Sequence, residues 1–192
     1  MKEQQKPHRS RHRAALRHTR ILCLAAFLTA LSFLLGLLAK TLQGAGPLRF
    51  TIEGLPVVLA GITLGPLYGA TVGIAADLLS CLLAGQTPLP LITVGAATVG
   101  LIPGLLGLLL RRRYCPTAVP PRYSLMLLLD GCAHLVGSIL LKTAALTEFY
   151  GITAVILWRT PLYISIIFIE SYLLFVLLRS VTVRRELERL TR

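Results

Sequence analysis

Long apolar segments follow one another from Ile21 to Val181, with only short breaks between them. A helix that crosses a bilayer needs about 20 mostly apolar residues, and the sequence contains about six such segments. Of the 192 residues, 55% are hydrophobic and 15% are charged, which is too apolar for an ordinary soluble domain of this length. The sequence therefore predicts an all-α integral membrane protein with six transmembrane helices.

Glycine and proline residues mark the breaks between the predicted helices. The predicted helices cover residues 21–39, 55–64, a segment from the Gly65-Pro66 turn to residue 83, and then 91–110, 123–141 and 155–178. Residues 142–154, which include Glu148 and Tyr150, are expected to form an outer loop. The sequence thus predicts one membrane domain, residues 21–181, between a disordered basic cytoplasmic tail (1–20) and a short charged cytoplasmic tail (182–192).

The positive charges predict how the chain is oriented in the membrane. Sixteen of the twenty Lys and Arg residues lie before residue 21, between residues 111 and 122, or after residue 178. With six spans, all three clusters fall on one side, and the positive-inside rule makes that side cytoplasmic. The net charge of +12 therefore indicates membrane topology rather than a nucleic-acid partner.

Glycines recur every four residues at Gly61, Gly65, Gly69 and Gly73, a spacing that favours close packing of helices. Ala26 and Ala30 form a second pair of small residues, on the first helix. The four cysteines are scattered, without a C-x-x-C pair or a histidine at ligand spacing, so no metal or redox site is predicted.

Polar side chains occur at membrane depth, where an ionisable group costs about 2.5–3.5 kcal/mol unless it has a partner, a cavity or a ligand. On the fifth helix they recur every four residues and so share one face. On the sixth they share a face again, and the third and fourth helices contribute one each. These residues are Asp130, His134, Ser138 and Lys142; Arg159, Tyr163 and Glu170; and Asp77 and Thr93.

These stripes predict a pocket between the helices near the extracytoplasmic side. Arg159 is suited to binding a carboxylate through two parallel hydrogen bonds. Two alternatives stay open: the buried groups neutralise one another and only hold the bundle together, or Arg159 reaches toward lipid head groups. Arg49 lies in a predicted outer loop, where a solvated surface charge is the competing interpretation.

Nothing in the chain has the spacing of a catalytic centre. His134 and Ser138 lie four apart on one helix, without a carboxylate clearly placed to orient the ring. No Walker A sequence is present, so ATP hydrolysis by that route is not predicted. The chain is expected to be no enzyme and to carry no cofactor, with ATP hydrolysed by partner subunits.

Several short motifs, in their order and spacing, resemble the folate-family S component of energy-coupling factor (ECF) transporters. The resemblance spans about residues 21–178. The motifs are LRF (48–50), LPVVLAG (55–61), LGP (64–66), GIAADLL (73–79), PLITVGAA (90–97), HLVGS (134–138), LKT (141–143), YG (150–151), RTPLY (159–163) and Glu170.

This resemblance implies a six-helix subunit that captures one vitamin, most simply a folate, near the extracytoplasmic side. It implies docking on a membrane coupling protein driven by two cytoplasmic ATPases, with Ala26 and Ala30 on the docking face. The folate glutamate tail carries two carboxylates, for which basic rim residues are suited. The predicted substrate-binding residues are Arg49, Phe50, Asp77, Thr93, His134, Lys142, Arg159 and Tyr163.

Three other functions remain as alternatives. An S component for another vitamin, such as thiamine, would keep the fold, although a cation would prefer acidic partners to a basic rim. A small intramembrane enzyme would use His134 with an acidic residue, and a passive channel would conduct without ATPases. The expected location is the plasma membrane of a prokaryote, with multiple passes and both termini cytoplasmic.

Overall fold

The computed structural model describes residues 6–43, 52–85, 87–113, 122–150 and 154–180, and every element in these ranges is helical. We number six helices along the chain. They are α1 (Lys6–Gln43), α2 (Gly54–Leu64), α3 (Pro66–Leu83), α4 (Pro90–Arg113), α5 (residues 123–150) and α6 (Ala154–Arg179). The predicted all-α fold with six helices is confirmed, and most boundaries lie within a few residues of those predicted.

Helix α1 is much longer than the apolar segment that predicted it. It begins at Lys6, so the helix includes residues of the segment 1–20 that composition had assigned to a disordered tail. Residues 6–20 contain five arginines, two alanines and one leucine, all of them good helix formers. A helix already nucleated in the apolar part extends into such residues at little cost.

Helix α2 is too short to cross a bilayer alone, because its 11 residues rise only about 16 Å. The other five helices include segments long and apolar enough to span a membrane. Just before α2 begins, the carbonyl oxygen of Glu53 accepts a hydrogen bond of 2.7 Å from Ser32 Oγ on α1. The chain thus lies alongside α1, about three turns before the end of that helix, where α2 starts.

Helices α2, α3 and α4 pack with their backbones in contact through glycines, which confirms the predicted close packing. A side chain on Gly69 would lie 2.6 Å from the Cα of Gly61, and one on Gly104 would lie 2.5 Å from the Cα of Pro66. Gly65, with φ 105°, makes the turn between α2 and α3 in a conformation that favours glycine. These three helices therefore form a tightly packed unit.

Helix α5 differs from the prediction in its length and its winding. It has an α-helical segment, Tyr123–His134, then a π-helical segment, Leu135–Lys142, then a second α-helical segment, Thr143–Tyr150. The predicted loop is wrong for residues 143–150, which are helical and contain no glycine or proline to end the helix. Thr143 Oγ1 donates a hydrogen bond of 3.2 Å to the carbonyl of Ser138 in the wider turn.

The outer surface of the bundle is apolar, as a bilayer requires. Large hydrophobic side chains are exposed on many of the described helices, among them Phe27, Leu67 and Leu82 at 63%, 75% and 75%. An aqueous protein rarely exposes so much contiguous apolar area. Polar side chains such as Asp130, Ser171 and Glu170 are instead fully buried. The protein is an all-α membrane bundle whose apolar core contains a small number of buried polar side chains.

Candidate functional site

A cluster of polar side chains lies buried between α5 and α6. His134 is at its centre: Nε2 lies 2.7 Å from Glu170 Oε2 and Nδ1 lies 3.0 Å from Ser138 Oγ. The hydrogen bond to Ser138 comes from the same helix, four residues on, and fixes the ring orientation. The bond to Glu170 joins helices whose contacting residues are 36 positions apart in sequence.

The beginning of α2 reaches this cluster from a third direction. The backbone amide of Leu55 donates a hydrogen bond of 3.1 Å to Glu170 Oε1. A helix N-terminus carries partial positive charge, so it stabilises a carboxylate placed there. A side chain on Gly54 would lie 2.7 Å from His134 Cε1 and 3.0 Å from Glu170 Oε2, and glycine therefore permits the close approach.

Asp130 is the one member of this cluster whose hydrogen bonding is incomplete. It is fully buried, and Ser171 Oγ donates a hydrogen bond of 2.9 Å to its Oδ2. Its Oδ1 atom has no hydrogen-bond partner among the described residues. His134 Nε2 lies 3.6 Å from Oδ1. Buried polar atoms are normally bonded, so an unpaired carboxylate oxygen needs an explanation.

A second polar pair joins α3 to α4. Thr93 Oγ1 donates a hydrogen bond of 2.7 Å to Asp77 Oδ2, and both residues are half-buried. The two were predicted as pocket residues on separate helices, and the structure places them in direct contact. Whether they bind substrate stays a prediction.

Replacing Thr93 by valine is expected to lower the free energy of unfolding by about 1–3 kcal/mol, because Asp77 would lose a donor to a charged oxygen. The measurement is thermal or denaturant unfolding in detergent. Thr63→Val is the matched control, since Thr63 Oγ1 bonds only the carbonyl of Leu59 on its own helix. Its effect is expected within about 0.5 kcal/mol. Equal losses in both variants would contradict a specific contribution from the Asp77 contact.

Lys142 lies at the same end of the bundle as the Asp77–Thr93 pair, which we call the upper end. A side chain on Gly95, two residues after Thr93, would lie 2.8 Å from Lys142 Cγ. Lys142 is half-buried, and its ammonium makes no salt bridge with any carboxylate of the described residues. The upper end thus holds a cation without a described counter-ion.

The register of α5 and α6 indicates where the remaining residues of α6 lie. Asp130 contacts Ser171, whereas His134, further along α5, contacts Glu170 and lies 6.3 Å from the ring of Tyr163. The two helices therefore run in opposite directions. Tyr163 lies beside the buried cluster, toward the upper end.

The described residues cover only part of the predicted site. Arg49 and Phe50 lie outside them, and so does the side chain of Arg159, whose backbone is part of α6. Arg159 precedes Tyr163 by about one turn, so the antiparallel register carries its backbone further toward the upper end. Their roles as substrate-binding residues stay predictions.

Sequence reasoning found the polar stripes but not how they pair. It treated Asp130 and Glu170 as interior carboxylates outside the substrate-binding set, whereas the structure places both around His134. Ser171 and the amide of Leu55 were missed altogether. Ser171 follows a buried glutamate directly in sequence, which was the only local signal for it.

Ala26 and Ala30 are both exposed on α1, one turn apart. The opposite face of the helix, including Ala25, Leu28 and Thr29, is buried against the bundle. This free surface of small residues is available to another helix.

Comparison with known proteins identifies the family. Residues 20–187 match the family model described as "ECF transporter, substrate-specific component". The chain belongs to this family. No curated protein and no solved structure matches it.

Membership in the ECF substrate-specific component family establishes the general role. The chain is the substrate-binding membrane subunit of an ECF transporter, a multi-pass membrane protein and a component of a transporter rather than an enzyme. The family match therefore excludes the intramembrane enzyme considered from the sequence. His134, Asp130 and Glu170 do meet in the core, but they belong to a transport subunit and not to the enzyme considered from the sequence.

Proposed function

We propose that this ECF substrate-specific component captures folate for ATP-driven uptake. The observation that carries the proposal is the unpaired cation at the upper end: Lys142 has no salt-bridge partner among the described residues. Folate ends in a glutamate whose two carboxylates need cationic partners, and charge-assisted hydrogen bonds are the strong ones. Arg159 and Arg49, whose side chains lie outside the described residues, are proposed to add positive charge to the binding site.

The Asp77–Thr93 pair supplies the opposite polarity for the other part of the ligand. A pteridine ring presents adjacent N–H groups along one edge, and a carboxylate accepts hydrogen bonds from such a pair. Tyr163 and Phe50 offer aromatic surface for ring packing. His134 completes the proposed lining below Tyr163.

Another vitamin is the competing ligand. Thiamine is a cation and would favour the carboxylate of Asp77 over Lys142 and the arginines. The number of basic groups assigned to the upper end favours an anionic ligand. A passive channel lacks support of this kind, because the family is defined by substrate-specific components of transporters.

The remaining parts of the proposal concern partners and location. The chain carries no cofactor for energy, and ATP is hydrolysed by two cytoplasmic ATPases that act through a membrane coupling protein. Ala26 and Ala30 provide the docking surface for that coupling protein. With α2 counted as one of six crossings, the positive-inside rule favours both termini in the cytoplasm of a prokaryotic cell and the upper end outside.

Equilibrium binding to the purified full-length chain in detergent tests the ligand. Titrations with folate, a reduced folate, thiamine and riboflavin are expected to give one-to-one binding for a folate alone, without turnover. Preference for thiamine or riboflavin would overturn the folate assignment and leave the transporter family unchanged. Binding of none of the four would overturn capture of these vitamins.

Arg159→Ala and Lys142→Ala are each expected to weaken folate binding by about ten-fold or more, as loss of a charged hydrogen bond costs about 1.5–3 kcal/mol. Arg179→Ala is the matched control, because Arg179 lies at the opposite end of α6, over the ring of Phe175 at 5.7 Å. It removes the same charge without touching the upper end. Unchanged affinity in a folded Arg159→Ala or Lys142→Ala variant would remove that residue from the site.

A further inference from the structure

Three atoms that commonly bind metals converge in the buried cluster between α5 and α6. Ligand atoms of Asp130, His134 and Glu170 all lie within 4.8 Å of one another, and all three residues are buried. His134 and Glu170 lie on different helices and are 36 positions apart in the sequence, so no motif spacing predicts that they form one site. We propose that Asp130 Oδ1, His134 Nε2 and Glu170 Oε2 form a site for one divalent transition-metal ion.

Each of the three residues has its other polar atom held by a separate partner. Ser171 Oγ donates to Asp130 Oδ2, Ser138 Oγ bonds His134 Nδ1, and the amide of Leu55 donates to Glu170 Oε1. The remaining atom of each residue is thereby turned toward the common centre. Outer hydrogen bonds that orient metal ligands in this way are a regular feature of metal sites.

Asp130 Oδ1 is the independent observation that indicates a ligand. It belongs to a fully buried side chain and has no hydrogen-bond partner among the described residues. It faces His134 Nε2 at 3.6 Å, which is too long for a hydrogen bond. An ion between these atoms would give this oxygen a partner.

Charge also favours a divalent ion. When all three groups are ionised, two carboxylates and one imidazolium carry one net negative charge, and no Lys or Arg of the described residues lies within salt-bridge distance of them. Unbalanced charge at this depth is costly. A divalent ion with a neutral imidazole and two carboxylates sums to zero.

The ligand types select the ion. Imidazole suits zinc, cobalt, nickel and copper, whereas magnesium and calcium prefer oxygen ligands alone. Zinc bonds of about 2.0–2.2 Å in tetrahedral geometry need ligand atoms about 3.4 Å apart. The 3.6 Å between His134 Nε2 and Asp130 Oδ1 is already close to this. The distance between His134 Nε2 and Glu170 Oε2, now 2.7 Å, would have to increase by about 0.7 Å to reach this separation.

Zinc retention tests the proposal on the full-length chain without an affinity tag. The detergent-solubilised protein is stripped with a chelator, exposed to micromolar zinc, separated by gel filtration and analysed for metal. We expect about one retained zinc per chain, lost in Asp130→Asn and in Glu170→Gln. Circular dichroism melting checks that each variant is folded. Either variant alone suffices if the other fails to fold.

The N-terminal histidines offer an adventitious alternative that the same assay resolves. A triple variant, His8→Asn, His12→Asn and His18→Asn, removes them and is expected to keep the retained zinc. Retention lost in this variant, or unchanged in a folded Asp130→Asn or Glu170→Gln variant, would overturn the site. No retention by the unaltered chain would overturn it as well.

Two further readouts separate metal ligation from a structural role. Cobalt in place of zinc is expected to give visible d–d absorption without a thiolate charge-transfer band, since the three ligands are nitrogen and oxygen. Ser171→Ala keeps all three ligands and is expected to weaken zinc binding by about 10–100-fold. A thiolate band, or unchanged affinity in Ser171→Ala, would contradict the assigned ligands.

Discussion

Gly100→Ala is expected to lower the free energy of unfolding by more than about 3 kcal/mol, or to prevent folding. A Cβ atom at Gly100 would meet the backbone carbonyl of Gly69, and the carbonyl of Gly100 itself faces Gly61 and Gly69 across the same contact. Overpacking usually costs about 1–3 kcal/mol when side chains can move aside. Here the obstacle is backbone, so α2, α3 and α4 would have to separate along their shared contact.

The same helix offers a matched control. Gly107 lies on α4 as well, and a Cβ atom there meets nothing within 4 Å. Gly107→Ala is expected to be neutral or stabilising by up to about 1 kcal/mol, because alanine is the better helix former. Denaturation with sodium dodecyl sulfate, followed by circular dichroism, compares the two variants. Equal unfolding midpoints would show that the glycine contact is not a tight one.

The glycine contact also shows why much of the fold was predictable. Apolar segments of about 20 residues identify spans almost independently of tertiary structure, because the bilayer imposes their length. The spacing of Gly61, Gly69 and Gly73 predicted close packing because small residues are needed wherever helix backbones touch. Both signals are local; the glycine contacts were confirmed, and five of the six predicted spans are long and apolar enough to cross a membrane.

The errors in the fold came where local composition and tertiary structure disagree. Residues 143–150 of the predicted loop are helical, because the π-helical segment before them changes the winding without ending the helix. The helix at residues 6–20 was missed because polar composition was taken to mean disorder. In neither of these two helical segments, 6–20 and 143–150, does a hydrophobic periodicity in the sequence mark the helix.

The pairing of the buried polar groups was not predictable from one sequence. The spacing of four residues placed Asp130 and His134 on one face of α5, but the groups that bond to this cluster are on α6 and at the start of α2. Such pairing depends on the register of antiparallel helices, and a shift of one turn would exchange every partner. The prediction of no metal site rested on cysteine and histidine spacing, which carries no information on ligands from separate helices, and it stays a prediction.

Ala30→Leu, or Ala26→Leu, is expected to reduce vitamin uptake to background while leaving vitamin affinity within about two-fold. Both residues are exposed on α1, away from its buried face. Small residues let two helix backbones approach closely, and a leucine would hold the partner away by the length of its side chain. The measurements are uptake by vesicles containing the complete transporter, and copurification of the coupling protein.

Ala144→Leu is the control for the docking prediction, because Ala144 is exposed on α5 and undergoes the same change in size. It is expected to keep uptake and copurification, since lipid adjusts to an added side chain whereas a packed helix cannot. Normal uptake in both α1 variants would exclude Ala26 and Ala30 from the docking face. Loss of vitamin binding in either α1 variant would instead mean that this face of α1 supports the ligand pocket from behind, and docking would then have to use another surface.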